Sequence, residues 1–221
     1  MELINPCLEH LRSLERISEL EVVVSDGDGG STVQVIDSSR ITFPVKSIVS
    51  PIGRGVQQNG GAEASQGDIL IFLHVDTRLP VNALGLIEHA LQRNSAGCFS
   101  LGIETSHRFL NLGQFLSNTR SRLTRIPYGD QAYFILRDTF FRIGGFQDIP
   151  IMEDVALMVE LKKNRIPIAI LKDTVLTSAR RWEKEGAVLG TFRNWTLYAL
   201  YRLGVSPRRL AKAYKPQSEL S

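Results

Sequence analysis

The segment Ile69–Leu73 places five apolar residues in succession and then turns at once to a histidine and an acid, His74 and Asp76. A run that is apolar on every residue suits a strand covered on both faces, as strands of parallel sheets are. The strand reading extends over residues 68–75. Residues 21–25, 97–103, 131–136 and 166–171 read as further strands, with 48–50 a weaker one. Between them, residues 80–93, 107–125, 137–143 and 153–163 have helical patterning, and 53–65 reads as a loop leading into a helix. Leu8, Leu11, Leu14 and Ile17 stand at helical spacing, so the opening helix is expected to run through Ile17. This alternation predicts an α/β domain with a mainly parallel sheet flanked by helices, and ligands in such sheets bind at the carboxyl ends of the strands.

Polar residues gather at those ends. The loop DGDGGST, residues 26–32, follows the strand EVVVS and offers Asp26 or Asp28 to a base or ribose, with glycines that let a backbone approach a ligand. Read more simply, it is a glycine-rich turn with a solvated acid. It is not the GxGxxG fingerprint, and the chain has no GxxxxGK[ST] loop, which argues against a P-loop ATPase. On an ideal strand His74 and Asp76 point to one side. A cation bridging phosphates could use Asp76, with His74 direct or through water; Mg²⁺ prefers oxygen, while Mn²⁺ tolerates imidazole. A strand-end histidine capped by an acid explains the pair equally well.

Glu153 and Asp154 open a helix, where the dipole alone favours acids; a general base at Asp154 is the functional alternative. Asp130 and Gln131 lie in a turn ahead of a strand. Arg180, Arg181 and Trp182 offer guanidiniums for phosphate and an indole for a sugar ring.

In combination and order, these segments resemble a family 2 glycosyltransferase of the GT-A fold. The matching stretches are EVVVSDGDGGST, GRGVQQNGGAEASQGDILIFLHVDTRLP, YGDQAYFILRDTFFRIGGF, MEDVALMVELKK and TSARRW. The helix NWTLYALYRLGVSPRRLAKAY is similar to the end of a bacterial subgroup typed as arsenosugar-biosynthesis-like glycosyltransferases. The resemblance implies an inverting transfer of sugar from a nucleotide-diphosphate donor, a UDP-sugar by preference, to an acceptor hydroxyl, assisted by Mn²⁺ or Mg²⁺. HVD stands at the family's metal motif, making Asp76 the metal ligand, with His74 in place of the first acid. Asp154 is implied as the general base. Asp26 is the preferred base-binding acid, with Asp28 the alternative. Arg54 and Asn59 fall in the segment beside the nucleotide, and Asp130, Gln131, Glu153, Arg180, Arg181 and Trp182 in segments that face acceptor and phosphates.

The family opens on a central strand, and no segment ahead of Glu21 reads as that strand. A degenerate relative that binds a nucleotide sugar or a protein partner without turnover is therefore an alternative expectation. A nucleotidyltransferase is a third, weakened by the lack of a glycine-rich, lysine-bearing N-terminal loop.

Two domains of unequal size are expected: residues 1–182 as the GT-A unit and 183–221 as basic amphipathic helices on or beyond it. Net charge is +3, but residues 179–215 hold nine Lys or Arg against two Glu. That arm suggests peripheral contact with an anionic membrane, suited to a lipid-linked acceptor, or else a solvated face, core or homodimer interface. No nucleic-acid partner is implied. Two cysteines give no disulfide framework, and no run of about 20 apolar residues is present, so a cytoplasmic protein is expected.

Overall fold

The structure is a computed structural model, and it describes residues 3–105, 107–179, 187–212 and 214. Its strands are β1 (Val22–Asp26), β2 (Val45–Val49), β3 (Ile69–Phe72), β4 (Thr77–Arg78), β5 (Ala96–Glu104), β6 (Tyr133–Leu136) and β7 (Ile168–Ser178). The helices are α1 (Ile4–Leu11), α2 (Arg54–Ala64), α3 (Ala83–Leu91), α4 (Arg108–Thr124), α5 (Arg137–Arg142), α6 (Glu153–Lys163), α7 (Ala187–Arg202) and α8 (Pro207–Ala211). A five-stranded sheet has the order β3-β6-β5-β7-β4, and β1 and β2 form a separate parallel pair.

The parallel ladders β1/β2 and β5/β7 hold more residue pairs than the antiparallel ones. The apolar run of β3 does not itself mark a parallel strand, because β3 pairs antiparallel with β6. It marks cover on both faces. Ile69 and Ile71 join a core under α1 and α3, while Leu70 and Phe72 join the opposite core with Phe140, Phe146 and the inner face of α6. Among the described residues, β1 and β3 each have one edge without a strand partner. Their leading ends are tied together by the Glu21 carboxylate, which accepts from the backbone N–H of Gln66 and of Gly67.

Two segments differ from the reading of the sequence. The opening helix stops at Leu11, because the chain turns so that Glu15 N–H donates to the Val81 carbonyl. Leu14 is still buried, so the periodicity reported burial and not helix. Residues 54–64 are helical from the first residue despite Gly55, Gly60 and Gly61. These glycines permit close approach rather than breaking the helix. A Cβ on Gly55 would stand 2.6 Å from the Gln147 carbonyl oxygen, and one on Gly60 2.9 Å from Ser50 Oγ.

Candidate functional site

Because β6 runs against β3, with Tyr133 opposite Phe72, the turn before β6 lies where β3 ends. His74 and Asp76 follow β3, and Gly129–Gln131 precedes β6 as a 3₁₀ turn. The N-terminus of α6 meets them there. Gly129 N–H donates to Asp154 Oδ2 at 2.8 Å, and Val155 N–H donates to Oδ1 at 2.7 Å. A Cβ on Gly129 would meet His74 Nε2 at 3.2 Å and Asp154 Oδ2 at 3.4 Å, so the imidazole and carboxylate converge over this glycine. Burial, and next the Arg54 charge, hold the His74 imidazole below its ordinary pKa against the pull of Asp76 and Asp154. It is therefore a neutral ring at pH 7, able to accept or ligate through one nitrogen.

Arg54 opens α2 and forms a two-pronged pair with Glu153, Nε to Oε1 at 2.8 Å and Nη2 to Oε2 at 3.1 Å. Glu153 is buried, while the arginine keeps 44% of its side chain exposed. Burial and the neighbouring Asp154 push the Glu153 carboxyl up to about 7, outweighing Arg54. The guanidinium thus presents an open flank beside the His74–Asp154 centre.

The Asp26 carboxylate is buried at the end of β1 and accepts from the backbone N–H of Asp28, Thr32 and Val33 at 2.7, 2.8 and 3.3 Å. Burial alone would raise its pKa; these donors and Gly30 reverse that and hold it below the ordinary range. Asp26 thus shapes its own loop, and the exposed acid of that loop is Asp28, which accepts from Ser31 Oγ at 2.8 Å.

Two expected ligand contacts are committed elsewhere. Asn59 clamps the turn Gly144–Phe146: its Nδ2 donates to the Phe146 carbonyl at 2.8 Å and its Oδ1 accepts from Phe146 N–H at 2.9 Å. Phe146 in turn packs edge-on to Phe72 of β3, with ring centroids 4.9 Å apart. Gln131 is fully buried, donating to the Phe99 carbonyl and accepting from Ser121 Oγ and Tyr128 N–H. Both side chains build the site without facing it. Arg180, Arg181 and Trp182 lie outside the described residues.

Asp130 differs from its neighbour. Its Oδ1 is enclosed without a hydrogen-bond partner, and burial, then Asp154, push its carboxyl up to about 7. Beside it the Tyr128 hydroxyl is likewise enclosed and unpartnered. The Arg120 guanidinium lies 3.7 Å from the Tyr128 ring centroid and 5.0 Å from that of Tyr198. Nothing in the sequence around Arg120 marks it, and Tyr198 stands out there only as one aromatic of a long C-terminal helix. Only the packing of α4 against α7 brings them to Tyr128.

The chain matches the sequence profile of Glycosyl transferase family 2 over residues 2–147. The chain belongs to glycosyl transferase family 2. No curated protein matches it. Among solved structures it is similar to the mannosyltransferase PcManGT from Pyrobaculum calidifontis in complex with GDP-Man and Mn²⁺, at 18% identity and TM-score 0.68. That likeness covers 94% of this chain and 62% of the mannosyltransferase. It is also similar to S. aureus TarS 1-349 in complex with UDP, at 15% identity and TM-score 0.59, covering 79% of this chain and 56% of the other. A further TarS 1-349 structure, in complex with UDP-GlcNAc, gives 15% identity and TM-score 0.60 over 79% and 54% of the two chains. The chain therefore spans less than two thirds of these proteins. The fold of this family 2 glycosyltransferase is the α/β GT-A fold.

Among the described residues, no three His, Cys, Asp or Glu side chains form a ready-made metal cage. The donor set of His74 and Asp76 still fits a cation shared with a ligand. Mg²⁺-type ions are commonly held by one or two side chains plus substrate phosphates, and an imidazole ligand favours Mn²⁺.

Proposed function

We propose that this family 2 enzyme transfers a sugar, with inversion, from a nucleoside-diphosphate donor to an acceptor hydroxyl. The observation that carries the reading is the convergence of His74 and Asp154 over Gly129, at the sheet end that also holds Asp76. Relatives of the same fold that bind GDP-Man and UDP-GlcNAc support a nucleotide-sugar donor. The sequence resemblance favours uridine among the bases.

Asp28, on the loop that Asp26 braces, takes the base. Arg54 turns its open flank to the diphosphate, and Asp76 with His74 would hold the divalent cation. That cation, when bound, neutralises charge developing on the leaving diphosphate. Asp154 accepts the proton of the acceptor hydroxyl as its oxygen bonds to the anomeric carbon, while the bond from that carbon to the diphosphate oxygen breaks on the opposite face. Gly129 N–H orients the carboxylate for this task. Asp130 and Tyr128, which line the cleft next to this centre, are on the side from which the acceptor would approach.

The test is a panel of UDP- and GDP-sugars with Mn²⁺, read by thermal shift and by release of nucleoside diphosphate. One donor should raise the melting temperature, in a Mn²⁺-dependent way lost in Asp76→Asn. Asp154→Asn should keep that shift and lose turnover. A shift without turnover under every acceptor tried would favour the non-catalytic binder instead, and no shift with any donor would sink both readings.

A further inference from the structure

Helix α4 is built inside out. Of its four buried residues, three are polar: Ser117, Asn118 and Ser121, beside Leu110. Their burial has a cause. Asn118 donates to the Leu101 carbonyl at 2.8 Å and accepts from Leu101 N–H at 2.7 Å, and Gln114 Oε1 accepts from Ile103 N–H at 2.8 Å. The inner face thus completes the backbone bonding of β5. Facing away from it are Leu112 (52% exposed), Phe115 (63%), Leu116 (38%) and Leu123 (81%). Their spacing at about 100° per residue puts all four on one side of the helix. Nothing in the fold needs an apolar stripe there.

The surroundings say what would cover it. Helix α7 packs beside α4, and α8 packs on α7. Phe192 on α7 and Leu203 just past its end are also exposed, at 58% and 81%, and Phe192 contacts the Trp195 ring. Across α4, α7 and α8 there is no Asp or Glu at all. Exposed basic residues instead follow these helices: Arg108, Arg122 and Arg125 along α4, then Arg202, Arg208 and Arg209. None of these six is in an ion pair among the described residues; Arg122 and Arg125 donate to Ser100 Oγ and the Ile168 carbonyl, which leaves Arg108, Arg202, Arg208 and Arg209 as the charges turned outward. Leucine and phenylalanine beside arginine, without acids, is the composition of a helix that lies in the headgroup layer of an anionic bilayer. A second copy docking on this face would set arginine against arginine. No helix among the described residues is long and apolar enough to cross a membrane.

We infer that the α4–α7 face, led by the stripe Leu112, Phe115, Leu116 and Leu123, is a docking surface for an anionic lipid bilayer. The cleft lined by Leu110, Ser117, Asp130 and Trp195 opens between the same helices. Docking through the stripe would set this cleft near the headgroup plane. The inference concerns binding alone and is independent of the transferase reading.

The experiment is sedimentation of the full chain with vesicles of phosphatidylcholine alone or mixed with phosphatidylglycerol, at low and high salt. Expected is binding to the anionic vesicles that weakens as salt rises. Neutralising each of Arg108 and Arg208 with Gln should weaken it about fivefold, the equivalent of about 1 kcal/mol per arginine. The variant L112S/F115S/L123S should lose at least tenfold while melting like the parent, since these side chains are exposed. Absence of binding to anionic vesicles at low salt would overturn the proposal. So would unchanged binding by the triple variant, or a dimer seen by light scattering that F115S abolishes.

Discussion

Asp130→Asn offers a test of the site's electrostatics that needs no substrate. The Asp130 carboxyl is displaced from 3.8 to about 7 by burial first and by the Asp154 charge second. The folded state therefore favours the protonated acid. Stability from this preference is complete below the unfolded pKa near 4 and is lost as pH climbs through about 7. At about 1.4 kcal/mol per pKa unit, the ionised side chain costs the fold at most about 4 kcal/mol at pH 8. Some exposure of the residue reduces this, so about 2–4 kcal/mol is expected, or roughly 5–15 °C in Tm for a chain of this size. An asparagine carries no charge and keeps an oxygen at the same place. Melting curves from pH 4 to pH 9, in chelator, should therefore superpose for parent and variant at the acid end and separate progressively, the variant being the more stable above pH 7. Glu153, pushed up to about 7 in both proteins, cancels in the difference. Parallel curves at all pH values would refute the argument. If the enclosed oxygen holds an acceptor, the same variant should be slower while more stable, the trade expected of a strained functional group.

Asp154→Asn should lower turnover by about 10²–10⁴ with donor affinity retained, the usual contribution of a positioned base, measured by single-turnover kinetics. Gly55→Ala should destabilise by about 1–3 kcal/mol, because its Cβ meets the Gln147 carbonyl oxygen at 2.6 Å and that oxygen belongs to backbone; a urea midpoint unchanged from the parent would contradict the packing. Gln131→Leu leaves a buried N–H, a carbonyl and a hydroxyl without their partner, at about 1–3 kcal/mol for each group left unsatisfied, and should melt well below the parent. Asn59→Ala should lower stability with a smaller effect on donor affinity, since both ends of its amide serve Phe146.

The strand that ends on His74 and Asp76, the helix starting at Glu153 and the alternation of the α/β sheet were legible in the residues, because each is a local pattern of burial or charge. The second half of β7 and the two-residue β4 were not, since Lys172, Asp173 and Arg78 interrupt any apolar alternation there. Composition marked a basic C-terminal arm that suits a membrane, a solvated face or a packed interface alike; the proposed contact lies instead on α4, whose buried face is polar because it completes the backbone of β5. The same division runs through the site. Sequence alone determined which acids and amides stand at the strand ends. Only the fold decided which of them are free: Asp26 is consumed by the N–H groups of its own loop, and Asn59 by a backbone 87 positions away. A side chain's chemistry is written in its identity. Its availability depends on which distant donors and acceptors packing brings within 3 Å, and no short-range pattern carries that.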